Sequence, residues 1–167
     1  MALNPDPGDW LHFRRTLDGQ GYSPLNQINR QNVQQLQLVW SWTINPGASE
    51  ATPQVHDGIM FISNPSGGVQ ALDAATGDFL WEFALPLDRS KGKGVGNEAG
   101  PSRPVRNLAL YGDKVYTGTD ENHGGRVVAL NARNGKVVWD KKEGFGHSGG
   151  PIAIKGKVVI DTTTCER

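Results

Sequence analysis

The stretch that decides the fold is ALDAATGDFLWEF at residues 71–83, because a related stretch, ALNARNGKVVWDK, follows 58 positions later at residues 129–141. Both copies fit one template, AxDxxTGxxxW, except that Asn replaces Asp and Thr in the second copy. The template positions are Ala71, Asp73, Thr76, Gly77 and Trp81 in the first copy and Ala129, Asn131, Asn134, Gly135 and Trp139 in the second. A repeat of this length predicts an array of similar structural units.

Each copy of the template predicts a β-hairpin. Strand-like runs flank the turn at residues 73–77, and an Asp or Asn opens such a turn by accepting a backbone N–H, while glycine supplies the positive φ that closes it. The tryptophan on the returning strand is too large for one hairpin to bury, and its indole N–H needs an acceptor. We therefore expect a neighbouring unit to cover each tryptophan.

The spacing of three tryptophans, Trp40, Trp81 and Trp139, predicts the architecture. Hairpins that recur every ~40 to 60 residues, each with a buried aromatic side chain, are typical of a β-propeller. The predicted fold class is therefore all-β, an incomplete β-propeller with four-stranded blades and tryptophan-docking motifs. The alternative is a β-sandwich in which two hairpins resemble each other by chance.

Residues 1–37 are predicted to form a leader with a short helix, and residues 38–167 to form the blades, all within one domain. Residues 38–44 are expected to form the first strand. Roughly three blades would leave open sheet edges and uncovered tryptophans. The chain is therefore expected to be the N-terminal part of a longer protein.

Composition and charge limit the range of functions. The 167 residues include 22 glycines and 10 prolines, which suits an all-β protein. With 17 basic and 17 acidic residues, the formal net charge is zero, so neither nucleic acid nor an anionic membrane is an expected partner. No apolar run has the length of a membrane span, and no signal peptide is predicted after Met1. The single cysteine, Cys165, has no partner for an internal disulfide.

The histidines and one serine do not form a recognisable catalytic or metal-binding motif. The run HSGGP at residues 147–151 has the serine context of trypsin-like proteases, but His147 stands where those enzymes have aspartate, and no upstream Ala-Ala-His-Cys segment offers a general base. His12, His56 and His123 lack the spacing of metal ligands. We therefore expect these three histidines to lie in solvated turns.

Several stretches, taken in order along the chain, carry a resemblance to a known family. They are DW at 9–10, YSPLNQIN at 22–29, NVQQLQLVW at 32–40, EATP at 50–53, the two docking motifs, RNLALYGDKVY at 106–116 and SGGPIAIKGKVVI at 148–160. In this order and at these spacings, the chain resembles the N-terminal part of alcohol dehydrogenases that depend on pyrroloquinoline quinone (PQQ).

The resemblance implies a periplasmic propeller of eight blades, of which this chain would supply about the first three. It implies that PQQ and a calcium ion, or a lanthanide, bind at the propeller axis. It also implies oxidation of an alcohol substrate to an aldehyde, with electrons passed to a cytochrome c or a quinone acceptor. In such a site the metal polarises a carbonyl of the quinone, and the protein orients the cofactor.

The resemblance also assigns site residues. Glu50 matches a glutamate that hydrogen-bonds the quinone carboxylates, and Arg106 matches an arginine that binds the same cofactor, since its fork suits planar carboxylates. Ser148 falls where a threonine is usual. The cofactor-binding candidates are Glu50, Arg106, Ser148, Thr163, Thr164 and Cys165, and the metal-ligand candidate is Glu166. The catalytic aspartate is expected beyond residue 167, so this chain alone is expected to be inactive.

The sequence departs from the family in three places. Two adjacent cysteines of many relatives would fall at Gly100 and Pro101, so that disulfide is absent. Cys165 stands where alanine or glycine is usual, which suggests a disulfide to a cysteine beyond residue 167. The run TTTCER at residues 162–167 matches the usual SGAE only loosely.

Two other functions remain open on the sequence alone. One is a quinoprotein with another substrate class, such as a glucose or polyvinyl alcohol oxidising enzyme. The other is a non-catalytic propeller scaffold similar to outer-membrane assembly lipoproteins, which share the tryptophan-docked repeat but need no cofactor. Charged residues gathered at one axial site, namely Glu50, Arg106 and Glu166, would favour an enzyme over a scaffold.

Overall fold

The computed structural model describes residues 5–47, 49–85, 105–120, 124–147 and 149–162. Its strands fall into two four-stranded sheets and one two-stranded sheet. The first sheet contains β1 (Gln54–His56), β2 (Ile59–Ser63), β3 (Val69–Asp73) and β4 (Phe79–Phe83). The second contains β5 (Ala109–Tyr111), β6 (Lys114–Gly118), β7 (Arg126–Asn131) and β8 (Val137–Lys142), and the third contains β9 (Ile152–Ile154) and β10 (Lys157–Val159).

Each sheet is a meander in which every strand pairs antiparallel with the next one along the chain. The register shifts between Ala71 and Leu72 in the first sheet and between Ala129 and Leu130 in the second. Both shifts fall at the same place in the repeated template, so the two copies share their irregularities as well as their strands. This confirms that the repeat encodes one structural unit.

The core lies between sheets that pack face to face. One cluster of buried side chains joins the first sheet to the second, and it includes Phe61, Val69, Leu110 and Leu130. A smaller cluster on the opposite face of the second sheet includes Tyr116 and also Ala153 of β9. The second sheet therefore lies between the other two, as a blade lies between its neighbours.

The repeated hairpin has the turn chemistry that the sequence predicts. Asp73 accepts the backbone N–H groups of Ala75 and Thr76, each at 2.9 Å, through its Oδ1 atom. Gly77 adopts a φ of +76°, which is unfavourable for residues with a Cβ atom. In the second copy, the Asn131 side chain accepts two N–H groups in the same way.

The neighbouring unit covers the tryptophan, as the sequence predicts. The indole N–H of Trp81 donates to the carbonyl oxygen of Ala132 at 3.0 Å, and the side chain is only 7% exposed. Its ring packs so closely on Gly135 that an added Cβ would lie 2.5 Å from a ring atom. Trp40 packs on Gly77 in the same manner, at 2.7 Å from an added Cβ.

The structure corrects the predicted strand at residues 38–44. This segment is not a strand, because no other described segment pairs with it. Leu38 and Val39 are 85% and 82% exposed. A strand requires a hydrogen-bonded partner as well as a suitable sequence. Residues 38–44 have a suitable sequence but no strand partner among the described residues.

The leader is anchored to the first sheet by Trp10, which exchanges two backbone hydrogen bonds with Val55 of β1 at 2.8 and 3.0 Å. The expected short helix is a single 3₁₀ turn, Val33–Gln35. Just before that turn, the Asn29 side chain accepts the N–H of Gln31 at 2.9 Å. Within the described part of the chain, no helix has the length and apolar composition needed to cross a bilayer.

The expectation of solvated histidines is wrong for His12 and His56. His12 is half-buried, and burial lowers its pKa below the ordinary value of 6.5. His56 contacts the buried Asp9 at 2.7 Å between Nδ1 and Oδ2, and this contact joins the leader to the end of β1. His123 lies outside the described residues.

Candidate functional site

The first strands of the three sheets lie side by side. The Gln54 side chain on β1 donates to the carbonyl oxygen of Leu108, just before β5, at 2.6 Å. Strand β5 in turn contacts β9. Strands β1, β5 and β9 are each the first strand of a sheet, and the other strands follow in order away from them. These three strands therefore mark the side on which the blades converge.

The sequence-predicted residues occupy equivalent positions relative to these first strands. Glu50 precedes β1 by four residues, and Arg106 precedes β5 by three. Ser148 precedes β9 by four residues in the sequence, and residues 163–166 follow β10, which is antiparallel to β9. Of these residues, the structure describes Glu50 and Arg106, and both lie just before the first strand of a sheet.

The structure brings Glu50 and Arg106 together across two sheets, although 56 positions separate them in the sequence. The Arg106 Nε atom donates to Oε2 of Glu50 at 2.5 Å. The Glu50 side chain is 53% exposed and the Arg106 side chain is 48% exposed, so the pair contributes little to stability. Within the described residues, the hydrogen bonds of Arg106 leave the terminal nitrogens of its guanidinium unused.

A tight turn lies directly beside this pair. The Asn107 side chain donates to the carbonyl oxygen of Gly149 at 3.4 Å. Gly150, with a φ of +85°, approaches so closely that an added Cβ would lie 2.4 Å from the carbonyl oxygen of Asn107. On its other side, Gly149 donates its N–H to Oδ1 of Asp161 at 3.3 Å.

A small cavity of about 230 Å³ opens between the leader and the beginnings of β5 and β9. Its wall is mainly apolar and includes Phe13, Leu17, Leu108 and Pro151. His12 also lines this cavity, and its lowered pKa keeps the imidazole neutral at neutral pH. The leader therefore forms part of the surface around the converging strands.

The other predicted site residues cannot be placed. Ser148, Thr163, Thr164, Cys165 and Glu166 lie outside the described residues. Among the residues that are described, no group of three His, Cys, Asp or Glu side chains comes together that could hold a metal ion. The metal-ligand assignment of Glu166 therefore stays a prediction.

Sequence reasoning assigned no site role to Asn107, His147 or Asp161, whose hydrogen bonds hold the turn beside the Glu50–Arg106 pair. Asn107 follows Arg106 directly, and Asp161 follows strand β10, so proximity to the predicted positions was the available signal. Their hydrogen bonds join residues 14 and 42 positions apart. Such contacts depend on how the sheets pack, and local sequence does not encode them.

Comparison with known proteins decides the family. A model described as the beta-propeller domain of PQQ-dependent glucose, ethanol and alcohol dehydrogenases matches residues 10–158. The chain belongs to this family. The match includes every described strand except the last residue of β10, so the fold is that of a PQQ-dehydrogenase propeller.

Curated relatives of this PQQ-dehydrogenase chain are much longer than the chain itself. It is 38% identical to the quinohemoprotein alcohol dehydrogenase ADH-IIG of Pseudomonas putida, and the match covers 96% of this chain and 22% of that protein. It is 37% identical to a 1-butanol dehydrogenase (cytochrome c) of Thauera butanivorans, over 92% of this chain and 22% of the relative. The chain thus spans about a fifth of the length of these relatives.

Solved structures give the same result for the fold of this PQQ-dehydrogenase chain. The P. putida ADHIIG structure matches with a TM-score of 0.78 at 36% identity, covering 92% of this chain and 22% of the other. A europium-containing methanol dehydrogenase matches with a TM-score of 0.77 at 29% identity, over 95% and 28% of the two chains. BamB from Moraxella catarrhalis matches with a TM-score of 0.52 at 19% identity, covering 70% of this chain and 35% of BamB. This match shows a shared fold only.

Proposed function

We propose that the protein containing this chain oxidises alcohols to aldehydes with PQQ as its cofactor. The observation that carries the proposal is the Glu50–Arg106 pair, held at 2.5 Å where the first strands of two sheets begin. A propeller needs no ion pair at this exposed place for stability. Charged groups with free hydrogen-bonding capacity are typical of ligand sites.

The described residues fit PQQ in charge and in hydrogen bonding. Glu50 holds the Nε side of the Arg106 guanidinium, which leaves the fork of terminal nitrogens for a planar carboxylate of the cofactor. Glu50 also fixes the direction of that fork. When bound, PQQ would supply the two-electron acceptor, and a calcium or lanthanide ion, for which Glu166 is the predicted ligand, would polarise its carbonyl.

The names of the relatives support the finer parts of the proposal. One relative is a 1-butanol dehydrogenase (cytochrome c), and another is the dehydrogenase subunit of an alcohol dehydrogenase (quinone). We propose an alcohol as the substrate and a cytochrome c or a quinone as the electron acceptor. The europium-containing methanol dehydrogenase supports a lanthanide as the alternative to calcium. The proposed compartment is the periplasm.

Reconstitution tests the proposal. Protein made from the complete coding sequence is mixed with PQQ and either calcium or a light lanthanide, and dye reduction is followed with a short primary alcohol. Dye reduction by the wild type would support the enzyme, and its loss in Glu166→Ala would support the metal assignment. Glucose and polyvinyl alcohol, offered in the same assay, distinguish the other quinoprotein substrate classes.

The Glu50→Gln variant tests the role of the ion pair itself. Because Glu50 directs the Arg106 fork, its neutral replacement should weaken the bonds from Arg106 to the cofactor; loss of one charged hydrogen bond, about 1.5–3 kcal/mol, would raise the dissociation constant for PQQ by roughly tenfold or more. Glu143→Gln, which neutralises the carboxylate that lies 3.0 Å from the Lys141 ammonium at the end of β8, is the matched control and should bind PQQ normally.

The non-catalytic scaffold is the outcome that would replace this proposal. If the wild type binds no PQQ with either ion, the enzyme hypothesis is wrong and the scaffold remains. The likeness to BamB shows the fold alone and favours neither function.

A further inference from the structure

His147, Gly149 and Gly150 lie in the loop between the second sheet and the first strand of the third. Residues next to strands β5 and β6 of the second sheet contact them at three points. The backbone N–H of the buried His147 donates to the carbonyl oxygen of Thr119 at 3.0 Å. The carbonyl oxygen of Gly149 accepts from the Asn107 side chain at 3.4 Å. Gly150 packs directly against Asn107. One side of the loop is thus fixed to the second sheet.

Asp161, which follows β10, holds the opposite side of the same loop. Its carbonyl oxygen contacts Nδ1 of His147 at 2.5 Å, and a carbonyl can only accept, so that nitrogen carries the proton. Its Oδ1 atom accepts the N–H of Gly149 at 3.3 Å. An added Cβ on Gly149 would lie 3.0 Å from both carboxylate oxygens. Gly149 is therefore held between Asp161 and Asn107.

Together with the Glu50–Arg106 pair, these contacts form a path that reaches the third sheet. Glu50 bonds Arg106, the next residue Asn107 bonds Gly149, and Gly149 bonds Asp161. The path crosses from the beginning of β1, past β5, to the beginning of β9 and the end of β10. The Arg106 side chain is thus held by Glu50, and the next residue in the chain, Asn107, is held by Gly149.

We propose that Asp161 is a positioning residue for the quinone cofactor, because it holds Gly149 against Asn107 and so limits the movement of Arg106. The inference rests on the proposed function, since it concerns the affinity of that site for PQQ. Asp161 is itself exposed, and within the described residues its hydrogen bonds are to His147 and Gly149. Its side chain therefore acts on the site rather than on the core.

The test measures PQQ binding to protein made from the complete coding sequence, by titration in the presence of calcium, for three Asp161 forms. Asp161→Ala removes the acceptor for the Gly149 N–H, and the dissociation constant should rise about tenfold, the scale of one charge-assisted hydrogen bond. Asp161→Asn retains a carbonyl oxygen in the same place and should restore affinity to within about twofold of the wild type. The thermal midpoint of all three forms should stay nearly constant.

A second variant, Gly149→Ala, tests the same contact from its other side, so the proposal can be tested even if Asp161→Ala misfolds. Gly149→Ala places a methyl group against the carboxylate, so it should weaken PQQ binding when Asp161 is present. In an Asp161→Ala background, the same change should add little, because the obstacle has gone. Asp78→Ala, in the exposed turn between β3 and β4, is the control and should leave PQQ affinity unchanged.

The outcomes separate the two proposals. A wild type that binds PQQ together with an equally tight Asp161→Ala overturns the positioning role and leaves the enzyme intact. An Asp161→Asn variant as weak as Asp161→Ala also overturns it, since charge and not the hydrogen bond would then matter. A wild type that binds no PQQ overturns both. The expected pattern is loss in Asp161→Ala, recovery in Asp161→Asn and non-additivity with Gly149→Ala.

Discussion

At the scale of single residues, Asp73 and Asn131 make the same turn with different charge. Each side chain accepts two backbone N–H groups of the residues that follow it. The hydrogen bonds from Thr76 and then Ala75 lower the pKa of Asp73 below its ordinary value of 3.8. Asn131 does not titrate, so the two copies of the turn differ in their response to acid.

Asp73→Asn should therefore make the chain less sensitive to acid. A depressed pKa in the folded state contributes stability that is present above the ordinary value of 3.8 and is lost as the pH falls through the folded pKa. Thermal unfolding of the two forms between neutral and strongly acidic pH measures the difference. The variant should lose less stability on acidification, and an identical pH dependence in both forms would contradict the proposed turn chemistry.

Gly135 is a residue whose replacement combines two costs. Gly135→Ala would strain a φ of +68° and would place a Cβ 2.5 Å from the ring of Trp81. Positive φ and overpacking each cost about 1–3 kcal/mol, so the free energy of unfolding should fall by roughly 2 kcal/mol or more. Gly112→Ala, at a φ of +61° with no atom within 4 Å, isolates the backbone cost. Equal losses in urea titrations of the two variants would show that Trp81 does not dock here.

At the scale of elements, the same template gives different burial in its two copies. Trp81 is 7% exposed and Trp139 is 38% exposed, although both occupy the same position on the last strand of a sheet. Trp81 has the hairpin of the second sheet over it, whereas the third sheet has only two described strands beside Trp139. The burial of the tryptophan is therefore determined by the next element and not by its own hairpin.

Trp81→Phe should be more costly than Trp139→Phe for this reason. The first change leaves the carbonyl oxygen of Ala132 without its 3.0 Å donor, and an unsatisfied buried acceptor costs about 1–3 kcal/mol, to which a cavity term is added. Trp139→Phe in the same chain should cost under about 1 kcal/mol, as is usual at partly exposed positions. Chemical denaturation of the two variants compares them, and a larger loss for Trp139→Phe would refute the docking scheme.

The sequence predicts those elements whose cause is local. The hairpins follow from Asp73, Gly77 and their counterparts, which fix the turns through their own side chains and φ angles. The strand expected at residues 38–44 is not formed, because its pairing depends on a segment elsewhere. The covering of Trp81 could be expected from its size, but the partner, Ala132, is known only from the packing.

At the scale of the whole molecule, the candidate site forms where the first strands of the sheets come together. Glu50 and Arg106 could be named from the sequence by resemblance, but their contact depends on β1 and β5 lying side by side. The sequence did not assign Asn107 or Asp161 to the site, because both meet Gly149 only through the packing of the sheets. The sequence thus identifies the repeated unit well and the site only in part.

The docking of each tryptophan on the following hairpin has a consequence for how the chain opens. Because Trp40 packs on Gly77 and Trp81 on Gly135, neighbouring units share their stabilising contacts, and stability couples along the array. Among the described residues, the least coupled place is the partly covered face that carries Trp139, next to the short strands β9 and β10. Amide hydrogens there should exchange fastest, and protection should increase toward the buried strands β6 and β7 in the middle of the array.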